Sequence, residues 1–119
     1  MSRKTGVVLA LGDYRARQRT VYFTRAELNQ LLGLYSLHVI RGVWRDYAID
    51  HGPGLARFSV FRHTHEAAAY TILKTAPSAT RPGEFIVQSG RQRLRASRNL
   101  SEALEFFRSR LSLVAAGPA

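Results

Sequence analysis

From Trp44 to Ser97 the chain alternates short β-type runs with connections too brief for a parallel crossover, which dictates an antiparallel sheet. Trp44–Asp50 alternates in polarity and meets the breaker His51-Gly52-Pro53-Gly54. Arg57–His65 carries Phe58, Val60 and Phe61 among polar residues, and Ala67–Lys74 carries Tyr70 and Ile72. Thr75–Gly83, with Pro77 and Pro82, reads as a loop. Glu84–Gln88 is a strand built on Phe85, Ile86 and Val87, and Ser89-Gly90 turns it into Arg91–Ser97.

Helices flank this run. Thr24-Arg25-Ala26-Glu27 forms a capping box, with Phe23 and Leu28 at the staple positions around it. Leu28, Leu31, Leu32, Tyr35 and Val39 then recur at helical spacing until Gly42, predicting a helix over 25–41. Asn99-Leu100-Ser101-Glu102 has the form of a second box, and Leu100, Leu104, Phe107, Leu111 and Val114 predict a helix over 100–114. A short strand signal, Val21-Tyr22-Phe23, precedes the first helix. The expected fold is therefore α+β: an antiparallel sheet of about five strands with both helices packed on one face. At 119 residues there is room for one domain, expected over 19–114, with a flexible basic arm at 1–18 and a frayed tail at 115–119. The arm holds one strand-like run, Val7–Leu11.

That run, five apolar residues ended by Gly12 and Asp13, is too short for a secretory core of roughly seven or more residues or a membrane span of about twenty. A cytoplasmic protein without membrane association is expected. The absence of cysteine excludes disulfides, thiolate metal sites and a cysteine nucleophile.

The formal charge is +10, and its placement matters more than its size. Residues 1–25 hold six bases against one acid, residues 26–88 six against five, and residues 89–119 six against two. The excess lies at the two ends of the chain. Arg91, Arg93 and Arg95 alternate on a predicted strand, which would set them on one face about 6.6 Å apart, near the phosphate repeat of a nucleic-acid strand. Arg98 follows, and Arg15, Arg17 and Arg19 repeat the alternation in the arm. If arm and strand converge, their guanidinium forks make one patch able to grip phosphates. The bland counterpart is a solvated face whose arginine stems cover apolar surface.

Other chemistry is thinner. Trp44, Tyr47, Phe58, Phe61, Tyr70 and Phe85 could stack bases on an open face, but a sheet under helices needs such rings as core. His63 and His65, two apart at a predicted strand end, are weak metal candidates because further ligands are wanting. Asp46 and Asp50 stand about 13 Å apart on one strand, too far to act as a carboxylate pair, and are expected to meet arginines on neighbouring strands. His38, near the end of the first helix, is expected to favour the negative dipole end. No nucleophile elbow or phosphate-cradling glycine loop occurs, so neither an enzyme nor a cofactor is expected.

Val21-Tyr22-Phe23-Thr24-Arg25-Ala26-Glu27-Leu28-Asn29-Gln30-Leu31-Leu32, the run Trp44-Arg45-Asp46-Tyr47-Ala48-Ile49-Asp50, Phe58-Ser59-Val60-Phe61-Arg62 and Tyr70-x-Ile72-x-Lys74 together resemble an alphaproteobacterial family of small proteins. That family is catalogued as a domain of unknown function, numbered twenty-seven ninety-four. The resemblance spans roughly residues 19–114 and departs at His63 and Ala68-Ala69, where the family pattern has an arginine and a Pro-Leu. It implies a bacterial, cytoplasmic, stand-alone protein and carries over no activity or site residue. The leading expectation is non-catalytic nucleic-acid or polyanion binding through Arg91, Arg93, Arg95, Arg98, Arg15, Arg17 and Arg19. The alternative is a protein-interaction module, homodimeric or with another partner, working through a sheet edge or through the first helix, whose apolar band Leu34 and Leu37 widen.

Overall fold

The computed structural model describes residues 19–115, and side-chain environments through Arg110. Val7–Leu11, Arg15, Arg17 and residues 116–119 lie outside the described residues. In chain order the elements are α1 (Arg25–Ile40), β1 (Asp46–Gly52), β2 (Leu55–Phe61), β3 (Tyr70–Thr75), β4 (Phe85–Ser89), β5 (Gln92–Ser97) and α2 (Leu100–Ala115). The strands form one antiparallel meander, β1-β2-β3-β4-β5.

Register divides the sheet into two faces. Ile49, Phe58, Ile72 and Val87 stand in one cross-strand row, and Tyr47, Val60 and Tyr70 in the next on the same side. β2 shows the alternation most clearly, since Ala56, Phe58 and Val60 are buried while Arg57 is exposed. This inner face packs against Leu31 and Leu34 of α1 and against Leu100, Ala103, Leu104 and Phe107 of α2, forming one core with Trp44. Both helices thus cover the same face, and a hydrogen bond from Ser101 Oγ to Gln30 Oε1 at 2.8 Å joins them.

Local chemistry sets the ends of α1. Thr24 Oγ1 accepts from Glu27 N–H at 3.1 Å, and Glu27 Oε1 accepts from Thr24 N–H at 2.8 Å. The same carboxylate oxygen pairs with Lys74 Nζ at 2.7 Å, which fastens the helix start to β3. Lys74 also donates to Tyr22 O at 2.8 Å. At the other end Gly42 takes φ 73°, a left-handed turn that a side chain would strain. Val43 and Trp44 N–H both return to His38 O, at 2.8 and 3.3 Å.

Several expectations shift in detail. Because its backbone is tied to His38, Trp44 precedes β1, and the ladder opens with Arg45 N–H donating to Phe61 O at 2.8 Å. His51 and Gly52 remain paired, so the break narrows to Pro53-Gly54. Proline cannot donate to a ladder, which places it in the turn. Val21–Phe23 is no strand. One bridge, Thr20 to Pro53, precedes it, and Val21 and Phe23 anchor the segment by burial while Thr24 already caps the helix. At α2, Asn99 Oδ1 accepts from Glu102 N–H at 3.3 Å, but the Glu102 carboxylate accepts from Ser97 Oγ at 2.7 Å instead of closing the box. On α1 the buried residues are Leu31, Leu34 and His38, whereas Val39 is exposed.

Candidate functional site

Among the described residues β5 is a sheet edge, bonded to β4 alone. Its arginines do not line one face. Arg91 lies in the Gly90-Arg91 turn, before the strand begins. Arg93 is registered with Gln88 and Arg95 with Val87, two successive positions of β4 that point to opposite sides. A bulge produces this, because Leu94 is an extra residue opposite Val87. Leu94 drops against the core, and that packing explains why the ladder accepts the irregularity. The expected single-face comb is therefore replaced by guanidinium groups at the turn, on the outer face and on the inner side of one edge. Arg98 follows where the chain enters α2. All four are exposed, and the ion pairs within 4.0 Å among the described residues are Lys74–Glu27 and Arg108–Glu105.

Arg19 is exposed, and its carbonyl accepts Gly54 N–H at 2.8 Å beside the β1–β2 turn, at the far end of a groove that Gly54 and Arg93 both line. Arg15 and Arg17 lie outside the described residues.

Arg93 meets the β3–β4 loop. With Arg81, Ser78, Thr80, Thr75 and Glu84 it lines this open groove of about 470 Å³ on the face away from the helices. The loop is pinned to β3: Thr75 N–H donates to Glu84 O at 2.9 Å, and Glu84 N–H donates to Thr75 Oγ1 at 3.0 Å. A Cβ on Gly83 would come within 2.7 Å of Thr75 O, so only glycine lets the loop approach so closely. The loop also covers Ile86, which explains a buried aliphatic residue on the outer face.

The remaining candidates are placed as follows. His63 and His65 are exposed in the β2–β3 connection, not on a strand, so the shared-face geometry does not arise. Among the described residues no group of three or more potential ligands is suited to a metal. Asp50 stands opposite Arg57 without closing an ion pair, and Asp46 accepts from Tyr47 N–H at 2.8 Å. Of the rings proposed for stacking, Trp44, Phe58 and Phe85 are buried core.

His38 departs most from expectation. It is 6 % exposed, and its Nδ1–H donates to Leu34 O at 2.9 Å. Burial pushes its pKa below the usual 6.5, with Arg41 adding to the effect and the Leu34 carbonyl opposing it. Desolvation thus outweighs the helix dipole and keeps the ring neutral. The ring stacks on Trp44 with centroids 3.8 Å apart and planes at 11°. Both residues line a second cavity of about 180 Å³ with Val43, Arg62, Tyr70, Phe107 and Arg110. The sequence pattern offers Trp44 as a ring for stacking or core, Phe107 as part of a helix stripe and His38 as a helix end. Only the Gly42 stop hinted that the chain doubles back there.

No helix among the described residues is long and apolar enough to cross a membrane. A protein-family model described as "Protein of unknown function (DUF2794)" matches residues 21–104. No curated protein and no solved structure matches the chain.

Proposed function

The chain belongs to the DUF2794 family, which brings a shared domain but no activity, and from its own residues we propose non-catalytic binding of polyanions, nucleic acid foremost. The contact surface is the β4–β5 edge, with Arg91, Arg93, Arg95 and Arg98 neutralising phosphates and the Arg81–Arg93 groove continuing it on the outer face. One observation carries this reading: four exposed arginines within residues 91–98, none paired with a carboxylate within 4.0 Å among the described residues. Guanidinium groups left without partners are free to exchange counterions for phosphates, and releasing those ions drives binding. Selectivity for sequence is expected to be weak, since the arginines flank an edge instead of entering a groove as a recognition helix does. A cytoplasmic setting, where nucleic acid abounds, suits this role.

The test is binding to RNA, single-stranded DNA and duplex DNA across a salt series. Affinity should fall steeply with salt, and the triple change Arg91→Ala, Arg93→Ala, Arg95→Ala should make the log–log slope shallower by about 2 to 3 while leaving the thermal midpoint in place. A binding constant that stays flat between low and physiological salt overturns the proposal.

A second reading rests on a different patch. Leu37, Val39, Ile40 and Val43 are exposed around the end of α1, Ile40 at 82 %. Clustered apolar exposure of this kind marks interfaces, and self-association there makes the protein a homodimeric module. Light scattering across a concentration series separates the readings, because the dimer survives high salt and is lost on Ile40→Lys, whereas polyanion binding is affected in the opposite way by salt alone.

A further inference from the structure

Trp44, one wall of the second cavity, is held in place at the cost of an unsatisfied polar group. Trp44 is 2 % exposed, and its indole Nε1–H is buried without a hydrogen-bond partner. Leaving such a donor unsatisfied is costly, and native proteins rarely do so without a reason. The ring itself is fixed firmly. His38 stacks on one face, Phe107 meets it edge-on with centroids 5.4 Å apart, and the backbone of Trp44 is tied to His38 O by the turn at Gly42. The indole cannot rotate to find another partner without breaking these contacts.

The walls around it are aromatic, with Tyr70 and Phe107 at right angles and centroids 5.1 Å apart. Arg62 and Arg110 also line the cavity and are both exposed. Arg110 is held by its guanidinium carbon, 4.3 Å above the centroid of Phe106. Among the described residues no carboxylate lines the cavity to offset those charges. His38 adds none, because its ring is neutral and its Nδ1–H is already committed to Leu34 O.

We propose that this cavity binds a small aromatic carboxylate: the ring lies among Trp44, Tyr70, Phe107 and Val43, and Arg62 and Arg110 at the exposed side neutralise the carboxylate. The dimensions agree. A cavity of about 180 Å³ leaves room for a single substituted ring. Apolar walls with a few placed polar groups are the general form of small-ligand sites. The site stands apart from the β5 edge and shares none of its four arginines, so it holds or fails independently of polyanion binding.

The experiment uses sodium benzoate as the probe and the full chain as the protein. Trp44 is the single tryptophan, so the indole ¹H–¹⁵N spectrum reports this donor alone. Benzoate should shift that signal saturably, with a dissociation constant on the order of a millimolar for so small a ligand. Arg62→Gln combined with Arg110→Gln changes two exposed residues and should weaken binding by about tenfold or more. Arg93→Gln, which alters the β5 edge, should leave the titration unchanged. Benzyl alcohol, which lacks the charge, and inorganic phosphate, which lacks the ring, should each bind far more weakly. The proposal is overturned if the indole signal does not move with benzoate, if benzyl alcohol or phosphate binds as well, or if Arg93→Gln weakens binding as much as the Arg62/Arg110 pair does.

Discussion

Among the described residues β1 and β5 are the two outer strands of one sheet, and the charged residues they hold differ in sign. β1 holds Asp46 and Asp50, with Arg45 just before it and Arg57 opposite Asp50, while β5 holds Arg93 and Arg95 and no acid, with Arg91 and Arg98 beside it. Both edges are charged, which discourages further strands from adding to the sheet. Protection against pairing accounts for charge of either sign. It does not account for the difference in sign, which makes β5 the more attractive edge to a polyanion. The edges also differ in regularity. β1 pairs with β2 without interruption, whereas the bulge at Leu94 sends the two arginines of β5 to different sides.

The largest effect should come from reversing the basic edge. Arg93→Glu with Arg95→Glu is expected to lower nucleic-acid affinity by about a hundredfold or more at low salt, read by fluorescence anisotropy. If the same loss followed charge reversal at Arg45 or Arg57, the contrast between the edges would have no functional content. A smaller effect separates the two sides of β5. Because Arg93 shares a groove with Arg81, Arg93→Ala should cost about tenfold and Arg95→Ala only about twofold if the ligand runs along the outer face. Equal losses would mean that it straddles the edge.

Neutralising the other edge should act in reverse. Asp46→Asn with Asp50→Asn is expected to raise affinity by about two- to threefold, an effect that screening removes at physiological salt. The least of the expected effects contrasts these exposed charges with the buried His38. Its folded pKa lies below 6.5, so above that pH both folded and unfolded chains carry it neutral. As pH falls from about 6.5 toward the folded value, the unfolded chain takes up a proton that the folded one resists, and stability declines. Denaturant midpoints at pH 7.5 and 5.5 should differ in that direction, and His38→Gln should narrow the gap. A midpoint that rises on acidification would show that His38 is charged in the fold.

The sequence revealed most where a local rule acts within a few residues. The Thr24–Glu27 box and the Gly42 stop each rest on neighbours in the chain and stand where the local pattern puts them, while the turn expected at Ser89-Gly90 moves by one residue to Gly90-Arg91. Legibility failed where the outcome depended on partners distant in sequence. Arg93 and Arg95 were read as one row because strict alternation is the default for a strand, and nothing in Gly90–Arg98 announces that Leu94 will bulge toward the core. His38 was read by its position in the helix, but Trp44 and Phe107 enclose it, and burial reverses its charge preference. Leu34 was placed at the margin of the apolar stripe, yet it lies in the core, and the exposed band moved to Leu37, Val39 and Ile40.

By itself, then, the sequence determined the two helices, the five strands of the meander with their antiparallel order, and the sign of the charge near each end, because caps, turns and short connections act through the adjacent chain. Tertiary structure alone decided which side each arginine of β5 faces and that Trp44 meets His38 over a cavity. Those outcomes are set by side-chain volume packed between elements far apart in sequence, where space and desolvation override local pattern.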